Sequence, residues 1–478
     1  MRLSKYFKKR TKIVATIGPA TSSASIIEQL TRAGMNVARL NLAHGTYQEH
    51  ARYIGTVRNI ARRLQVTTAI LFDLPGPKYR IGELKNGSAI LKRGAEVVLT
   101  TEPIEGDASR LPINFATLPQ LVKAGDKILV DDGAMQLKVK AVSGNEVNCR
   151  VITGGKLTPN RSLVVPGMRD YGHFTTEKTS EHIAFAVGQQ PDYIALSFVS
   201  REEDIAEIRT LLRQQGSEIP IIAKIERKQA VTRFDRILEA SDGVMVARGD
   251  LGVDLPIQKI PLVQKEIIKK CNQSAKPVIT ATQMLESMIT SVRPTRAEVT
   301  DVANAIFDGS DAIMLSAETS VGKHPVEAVR MMAKITREVE GGISYENILA
   351  ERSAWLKSET DELISYNACH IASRLRAAAI VAFTQSGSTA QRVSKYRPRA
   401  PVLALTSSEL VSRRLTLYWG VRGVKITEPT SLIELFATAA RHCKELGLAK
   451  AGELIVITGG IPIGIAGTTN LLKVERIT

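Results

Sequence analysis

Eight short apolar runs, each ending in polar or charged residues and separated by stretches of helical period, constrain this chain more than any other feature. They read as strands over Lys12–Gly18, Asn36–Leu42, Ala69–Pro75, Tyr193–Val199, Pro220–Glu226, Gly243–Gly249, Pro277–Met284 and Ala312–Glu318. Helical stretches fall between them, as at Ser25–Ala33, Glu202–Gln214 and Leu262–Ser274. Strands that are apolar on both faces and alternate with helices predict a parallel sheet, and eight such units predict a closed (β/α)8 barrel. An open doubly wound sheet is the alternative that the pattern leaves.

The rhythm breaks once. Between Pro75 and Tyr193, where one helix is due, the text is strand-like and turn-rich, with runs at Glu96–Thr100, Lys127–Val130, Met135–Val142 and Val147–Ile152. This predicts a small all-β domain inserted after the third strand, placed to close over the barrel mouth as a lid. Beyond the eighth strand a separate α/β region follows: a helix at Glu362–Arg374, strands at Ala379–Phe383, Val402–Leu405 and Leu454–Ile457, and helices near Thr389–Lys395, Glu409–Leu417 and Ser431–Leu446. The expected domains are a barrel of residues 1–77 and 168–345, an inserted β-barrel lid of 78–167, and a C-terminal α/β effector or oligomerisation domain of 346–478, a TIM barrel carrying two appendages.

Two C-terminal loops suit phosphate. Thr384-Gln385-Ser386-Gly387-Ser388-Thr389 runs from a strand end into a helix, and Gly459-Gly460 to Gly467-Thr468-Thr469 is rich in glycine and hydroxyls. Backbone N–H groups at a helix N-terminus form an anion site, although tight strand-to-helix turns use the same residues for structural reasons alone. Thr384, Ser386, Gly387, Ser388 and Thr389 are the candidate effector-phosphate residues.

A net charge of +16 favours anionic partners. The cations are spread without aromatic interleaving, which argues for small phosphorylated anions over nucleic acid. No run is long and apolar enough for a membrane span, and the basic start leads into a strand rather than a secretory segment, so a cytoplasmic protein is expected. Cys149, Cys271, Cys369 and Cys443 are far apart and form no CxxC pair, against a disulfide framework or a zinc site.

A barrel of this type keeps its active site at the C-terminal ends of its strands. Those ends carry Arg39 and Asn41, Asp73, Ser197, Lys224 and Glu226, Arg248 and Asp250, Thr282 and Gln283, Ser316 and Glu318. Any one of these charges could belong to a salt-bridge network, but a packed barrel would not hold them all unpaired. Glu226 and Asp250 suit a hard cation such as Mg2+, Lys224 and Arg39 suit a phosphoryl group, and Thr282 and Ser316 supply hydroxyls. Metal-assisted phosphoryl transfer uses every part.

Stretch by stretch the chain resembles the pyruvate kinase family. The segments are Thr16-Ile17-Gly18-Pro19, Gly34-Met35-Asn36-Val37-Ala38-Arg39-Leu40-Asn41, Asp73 with Gly76-Pro77, Ile222-Ala223-Lys224-Ile225-Glu226, Met245-Val246-Ala247-Arg248-Gly249-Asp250, Ala281-Thr282-Gln283-Met284 and Met314-Leu315-Ser316-Ala317-Glu318. The resemblance implies transfer of the phosphoryl group of phosphoenolpyruvate to ADP and protonation of the enolate to pyruvate, the last step of glycolysis. It implies a catalytic set of Lys224, Arg39, Arg80, Thr282 and Ser316. Substrate would be bound by Arg39, Lys224, Gly249, Asp250 and Thr282, and nucleotide by Pro19, Asn41, His44, Arg80 and Arg161. Glu226 and Asp250 would hold Mg2+, for which Mn2+ can substitute. A phosphorylated allosteric effector and a homotetramer are further expectations.

Three departures from the family pattern cluster around one site, and two more lie elsewhere. Where many members carry a serine, a threonine-lysine pair and a glutamate around a K+ site, this chain reads Ala43, Leu74-Pro75 and Lys78. The monovalent-cation region of Asn41, Asp73 and Lys78 thus loses a hydroxyl and gains an ammonium, so K+ is expected not to be required. Arg161 stands in an atypical lid-return stretch, and Val321 replaces a lysine that some members have. The alternative functional reading is a non-catalytic regulatory homologue that binds phosphorylated metabolites; a Mg2+-dependent enolate-forming lyase or aldolase would share the carboxylates but not use Asn41, Arg80 and His44.

Overall fold

The computed structural model describes residues 9–76, 79–168, 175–465 and 467–478. Eight parallel strands close into a barrel in chain order, each hydrogen-bonded to its sequence neighbours among the eight and the first to the last. They are Lys12–Thr16, Val37–Asn41, Ala69–Leu74, Tyr193–Leu196, Ile221–Ile225, Gly243–Ala247, Val278–Ala281 and Ala312–Leu315. All eight expected strands are present, each shorter than the apolar run that announced it. Of the polar residues at these ends, Arg39, Asn41, Asp73 and Lys224 are still paired in the ladder near the ends of their strands, whereas Ser197, Glu226, Arg248, Asp250, Thr282 and Ser316 stand just beyond it.

Two apolar layers hold the barrel. Alternate side chains such as Val14, Leu71, Tyr193, Ile222, Met245 and Met314 fill its interior, joined by Leu417 from the C-terminal region. The others, such as Ile13, Phe72, Ile221 and Ile313, pack against the surrounding helices. Local signals fix where the helices begin and end. Thr46 and Glu49 form a reciprocal capping box ahead of Tyr47–Leu64, and Gly34 at φ +128° closes Ala24–Ala33 in a conformation that a Cβ resists.

The inserted segment is a seven-stranded, mostly antiparallel sheet over its own core, with a separate two-stranded pair of Ala89–Leu91 and Gly155–Leu157. The four expected strands are there. Tyr79–Arg80, Ala89–Leu91, Arg110–Pro112, Gly155–Leu157 and Ser162–Val164 are additional, and Lys85–Gly87 and Leu118–Leu121 form short helical turns within the mainly β structure. These strands are too short for a period-2 pattern to stand out from a turn.

The C-terminal sheet has five strands, not three. In order they are Val421–Lys425, Val402–Thr406, Ala379–Phe383, Leu454–Gly460 and Thr469–Arg476, the last antiparallel. The two that pattern reading missed are the edges, where half-exposed positions dilute the apolar signal. The Gly459 to Thr469 stretch therefore joins two antiparallel strands and does not lead into a helix. Only the Thr384–Thr389 loop has that geometry, running into Ser388–Lys395 through Gly387 at φ +97°.

Candidate active site

The ends of the second, third, fourth and fifth strands meet around Asp73. Arg39 Nε and Nη2 both reach Asp73 Oδ2 at 2.8 Å, and Arg39 Nη1 donates to Thr16 Oγ1 at 2.8 Å. Ser197 Oγ donates to the other oxygen at 3.1 Å. Lys224 Nζ donates to Asp73 Oδ1 at 3.1 Å and to Ser197 Oγ at 2.7 Å, and pairs with Glu226 Oε1 at 3.0 Å. Burial alone would raise the Asp73 carboxyl, but Lys224 and Arg39 outweigh it and hold it below its ordinary value. Burial alone would strip the proton from Lys224, but Asp73 and Glu226 outweigh that and keep the ammonium more basic than usual. This corner therefore keeps one buried lysine charged.

Glu226 differs. Burial pushes its carboxyl up, and although Lys224 opposes this, the negative charges of Asp250 and Asp73 add to it. Its second oxygen accepts from the Phe198 N–H at 2.6 Å. Glu226 and Asp250 both face a cavity in the barrel mouth, so together they form an acidic pair that a cation would relieve. Among the described residues no group of three or more His, Cys, Asp or Glu side chains gathers as a metal cage. Two carboxylates with the remaining positions open suit Mg2+, which keeps waters and takes substrate oxygens, so the donor set fits the ion expected from the sequence.

Across the mouth the loop after the seventh strand is held in strain. Thr282 and Gln283 have φ of +66° and +54°, a region that costs a β-branched residue about 1–3 kcal/mol. Arg248 secures them, donating to the Thr282 and Gln283 carbonyls at 2.8 and 3.3 Å while paired with Asp301 at 2.7 Å. Thr282 Oγ1 accepts from the Gly249 N–H at 2.8 Å, so that donor is engaged within the protein. Glu318 is a second clamp, accepting from the Leu285 and Ser316 N–H groups at 3.1 and 2.7 Å. Ser316 Oγ is buried with no hydrogen-bond partner among the described residues.

A cavity of about 620 Å3 occupies the mouth and is lined by Arg39, Lys224, Glu226, Asp250, Thr282 and Ser316, and also by Pro19, Asn41 and His44. The structure thus gathers most of the sequence-predicted residues into one space. Arg80 and Arg161 are elsewhere, in the inserted domain. Arg80 Nη1 donates to the Asn160 carbonyl at 2.6 Å, and Arg161 pairs with Asp131 at 3.1 Å. Lys78 lies outside the described residues. Asn41 Oδ1 accepts from the Ala43 N–H at 3.2 Å.

Two contributors had no role assigned from the sequence. Ser197, read there only as a strand-end residue, links Asp73 to Lys224, and Thr16, at the end of the first strand, holds the far end of Arg39; a hydroxyl at a strand end does not announce which partner it will hold. His50, Glu49 and Tyr53 also line the cavity, brought to it by the first turns of Tyr47–Leu64. In the C-terminal region, Thr384 and Thr389 line a second cavity with Gly460, Gly467, Thr468 and Thr469, which brings the two candidate phosphate loops together. Glu428 faces that same space, while Ser386 borders a different one.

Two family models match successive parts of the chain. Residues 8–329 match the family model described as pyruvate kinase, barrel domain, and residues 362–475 match pyruvate kinase, alpha/beta domain. The chain is 46% identical over 474 residues to a pyruvate kinase of Geobacillus stearothermophilus, covering 98% of this chain and 81% of that one. It is 44% identical over 471 residues to a pyruvate kinase of Clostridium acetobutylicum, covering 98% of this chain and all of the relative. A crystal structure of a pyruvate kinase from Cryptosporidium parvum superposes with a TM-score of 0.94 at 34% identity, covering 98% of this chain and 97% of that one.

Proposed function

The chain belongs to the pyruvate kinase family and is a phosphotransferase, and on that premise we propose that it moves the phosphoryl group of phosphoenolpyruvate to ADP in a Mg2+-dependent, K+-independent reaction. The observation that carries this reading is the buried Lys224, kept charged between Asp73, Ser197 and Glu226 at the wall of the mouth cavity. In the reaction the bond between phosphorus and the enol oxygen breaks, a bond to a β-phosphate oxygen of ADP forms, and the enolate carbon takes a proton to give pyruvate.

Each residue has a task in that sequence. Lys224 neutralises charge on the phosphoryl group in flight without giving up its proton. Arg39, locked by Asp73 and Thr16, presents a fixed cation to a phosphate. Gly249, Asp250 and Thr282 face the substrate carboxylate side, which requires the Thr282 hydroxyl to yield the Gly249 N–H. Ser316, whose hydroxyl has no partner among the described residues, lies on the proton-delivery side with Thr282. Glu226 and Asp250 would hold Mg2+, which would supply charge stabilisation to the transferring phosphoryl group when bound; Mn2+ could substitute. Pro19, Asn41 and His44 receive the nucleotide from the barrel, and Arg80 and Arg161 do so from the lid, which closes over both substrates and excludes water.

Independence from K+ rests on how Asp73 and Asn41 are occupied. Both Asp73 oxygens are taken by Arg39, Lys224 and Ser197, and Asn41 Oδ1 by Ala43, so the region offers a monovalent cation little free charge. Initial rates of pyruvate formation from phosphoenolpyruvate, ADP and Mg2+ should be equal in potassium and in a bulky organic cation. A rate that appears only with potassium would overturn the K+ reading and keep the enzyme; no rate in either would refute the reaction.

The wider setting is a cytoplasmic homotetramer acting in glycolysis, without nucleic-acid or membrane partners, built from a barrel (1–77 and 168–345), a lid (78–167) and a C-terminal effector domain (346–478). No helix among the described residues is long and apolar enough to cross a membrane. The Thr384 to Thr389 loop receives the effector phosphate. Gly387 holds φ +97° with Leu415 and Gln391 about a Cβ contact away, at 3.3 and 3.4 Å. Gly387→Val should therefore collapse the ratio of stimulated to unstimulated rate to one across a panel of a sugar monophosphate, a sugar bisphosphate and a nucleoside monophosphate. A ratio equal to wild type would remove the loop from effector binding.

A further inference from the structure

At the end of the barrel away from the mouth, a cavity of about 330 Å3 lies where the helix Tyr345–Arg352 and the C-terminal ends of Ile260–Gln273 and Arg296–Phe307 meet the C-terminal region. Its walls include Trp355, Trp419, Tyr345 and Phe307. The chain has 2 tryptophans in all, and both border this one space.

The cavity contains a buried cation that makes no ion pair among the described residues, Asp311 and Glu351 acting on it only from a distance. Arg352 is 7% exposed, donates to Asn272 Oδ1 at 2.9 Å and to the Lys395 carbonyl, and lies over the Trp355 ring at 4.7 Å. None of these partners is negative. Asp311, the buried acid on that side, is taken by Arg397 at 2.7 Å, Asp308 is taken by Lys265, and Glu351 is exposed and makes no ion pair with it. A guanidinium is costly to bury without a counter-ion, and removing Arg352 from water beside a second cation, Arg397, holds it well below its ordinary pKa. Lys269, on the neighbouring helix, lines the same cavity and has no ion pair among the described residues. The aromatic walls add flat faces that favour a ring or a stacked planar group.

We propose that this cavity binds a small anion carried on a flat unsaturated ring, with the anionic group held by Arg352 and Lys269 and the ring against the tryptophans. The space is of the size that small-molecule sites commonly have. The shared chemistry is an aryl carboxylate or a nucleoside monophosphate. Occupation would supply Arg352 with its missing partner and would bear on the carbonyl of Lys395, the last residue of the helix that the Thr384–Thr389 loop begins.

Because both tryptophans border the cavity, intrinsic fluorescence excited at the red edge reads it directly. The full-length protein is titrated with benzoate and with adenosine 5′-monophosphate, each against its uncharged counterpart, benzyl alcohol and adenosine. The expected result is saturable quenching by at least one of the anions, with its neutral counterpart at least tenfold weaker. Lys269→Glu, at an exposed position, should weaken that quenching at least tenfold, and Arg352→Met should abolish it. Whichever anion quenches identifies the ligand class. Quenching by neither anion, equal quenching by the neutral counterpart, or quenching indifferent to Lys269→Glu would each overturn the proposal; the last of these stands even if Arg352→Met does not fold.

Discussion

Lys224→Met should lower the rate of pyruvate formation about a thousandfold or more, since loss of a single preorganised donor at developing charge already costs about 10²–10³. Methionine follows the lysine side chain as far as Cε and removes the ammonium with its charge and its donors. Three partners converge on Lys224 Nζ, namely Asp73 at 3.1 Å, Ser197 at 2.7 Å and Glu226 at 3.0 Å, so the ammonium is already where it must act. Lys224→Arg should recover only part of the loss, because a planar fork cannot meet three acceptors disposed around a point charge. The fold should tolerate the change better than its burial suggests: Asp73 retains Arg39, and only Glu226 loses its cation. Steady-state kinetics with circular dichroism as a folding control decide the matter. A variant that keeps a tenth of the wild-type rate would show that Lys224 is structural and that the reaction is carried elsewhere.

Asp311→Ala should be the most damaging single change to stability, about 3–5 kcal/mol, because it leaves a buried guanidinium without its partner. Asp311 precedes the eighth strand and joins three parts of the molecule. One oxygen receives Arg397 Nη1 at 2.7 Å and the Trp419 N–H at 3.1 Å, and the other receives the Val278 N–H at 3.1 Å. Both members of the ion pair are about 5% exposed or less, so solvent cannot make up the loss. Asp311→Asn keeps one acceptor and should lose less. Arg330→Ala, which removes an exposed partner of Glu327, should be nearly neutral and serves as the comparison. Urea unfolding of the three variants orders them. A loss below about 1 kcal/mol for Asp311→Ala would mean that Arg397 finds another partner and that the carboxylate does not join barrel and C-terminal region.

Much of this was legible from residues in order. The barrel was, because each buried parallel strand must be apolar on both faces, a pattern that needs no neighbour to be recognised. The ends of the strands were too: a charged residue directly after such a run has nowhere to go but the rim. The edge strands Val421–Lys425 and Thr469–Arg476 were not, since an edge is defined by what is absent beside it, and no single segment carries that information. The Gly459 to Thr469 stretch shows the converse. Its composition suits a phosphate loop at a helix start and a hairpin equally, and the antiparallel pairing of its flanks decides for the hairpin.

What the sequence determined alone was therefore the inventory: eight strands, an insertion, a C-terminal α/β region, and a set of charged residues destined for one rim. What only the tertiary structure decided was the state of those residues. Asp73 is ionised because two cations from other strands reach it, and Lys224 stays protonated because two carboxylates outweigh its burial. Arg248 serves the strained Thr282 turn, Glu318 serves backbone N–H groups, and Arg352 makes no ion pair among the described residues. Charge states and free valences depend on distances of a few ångströms between residues far apart in the chain, and the order of residues does not contain those distances.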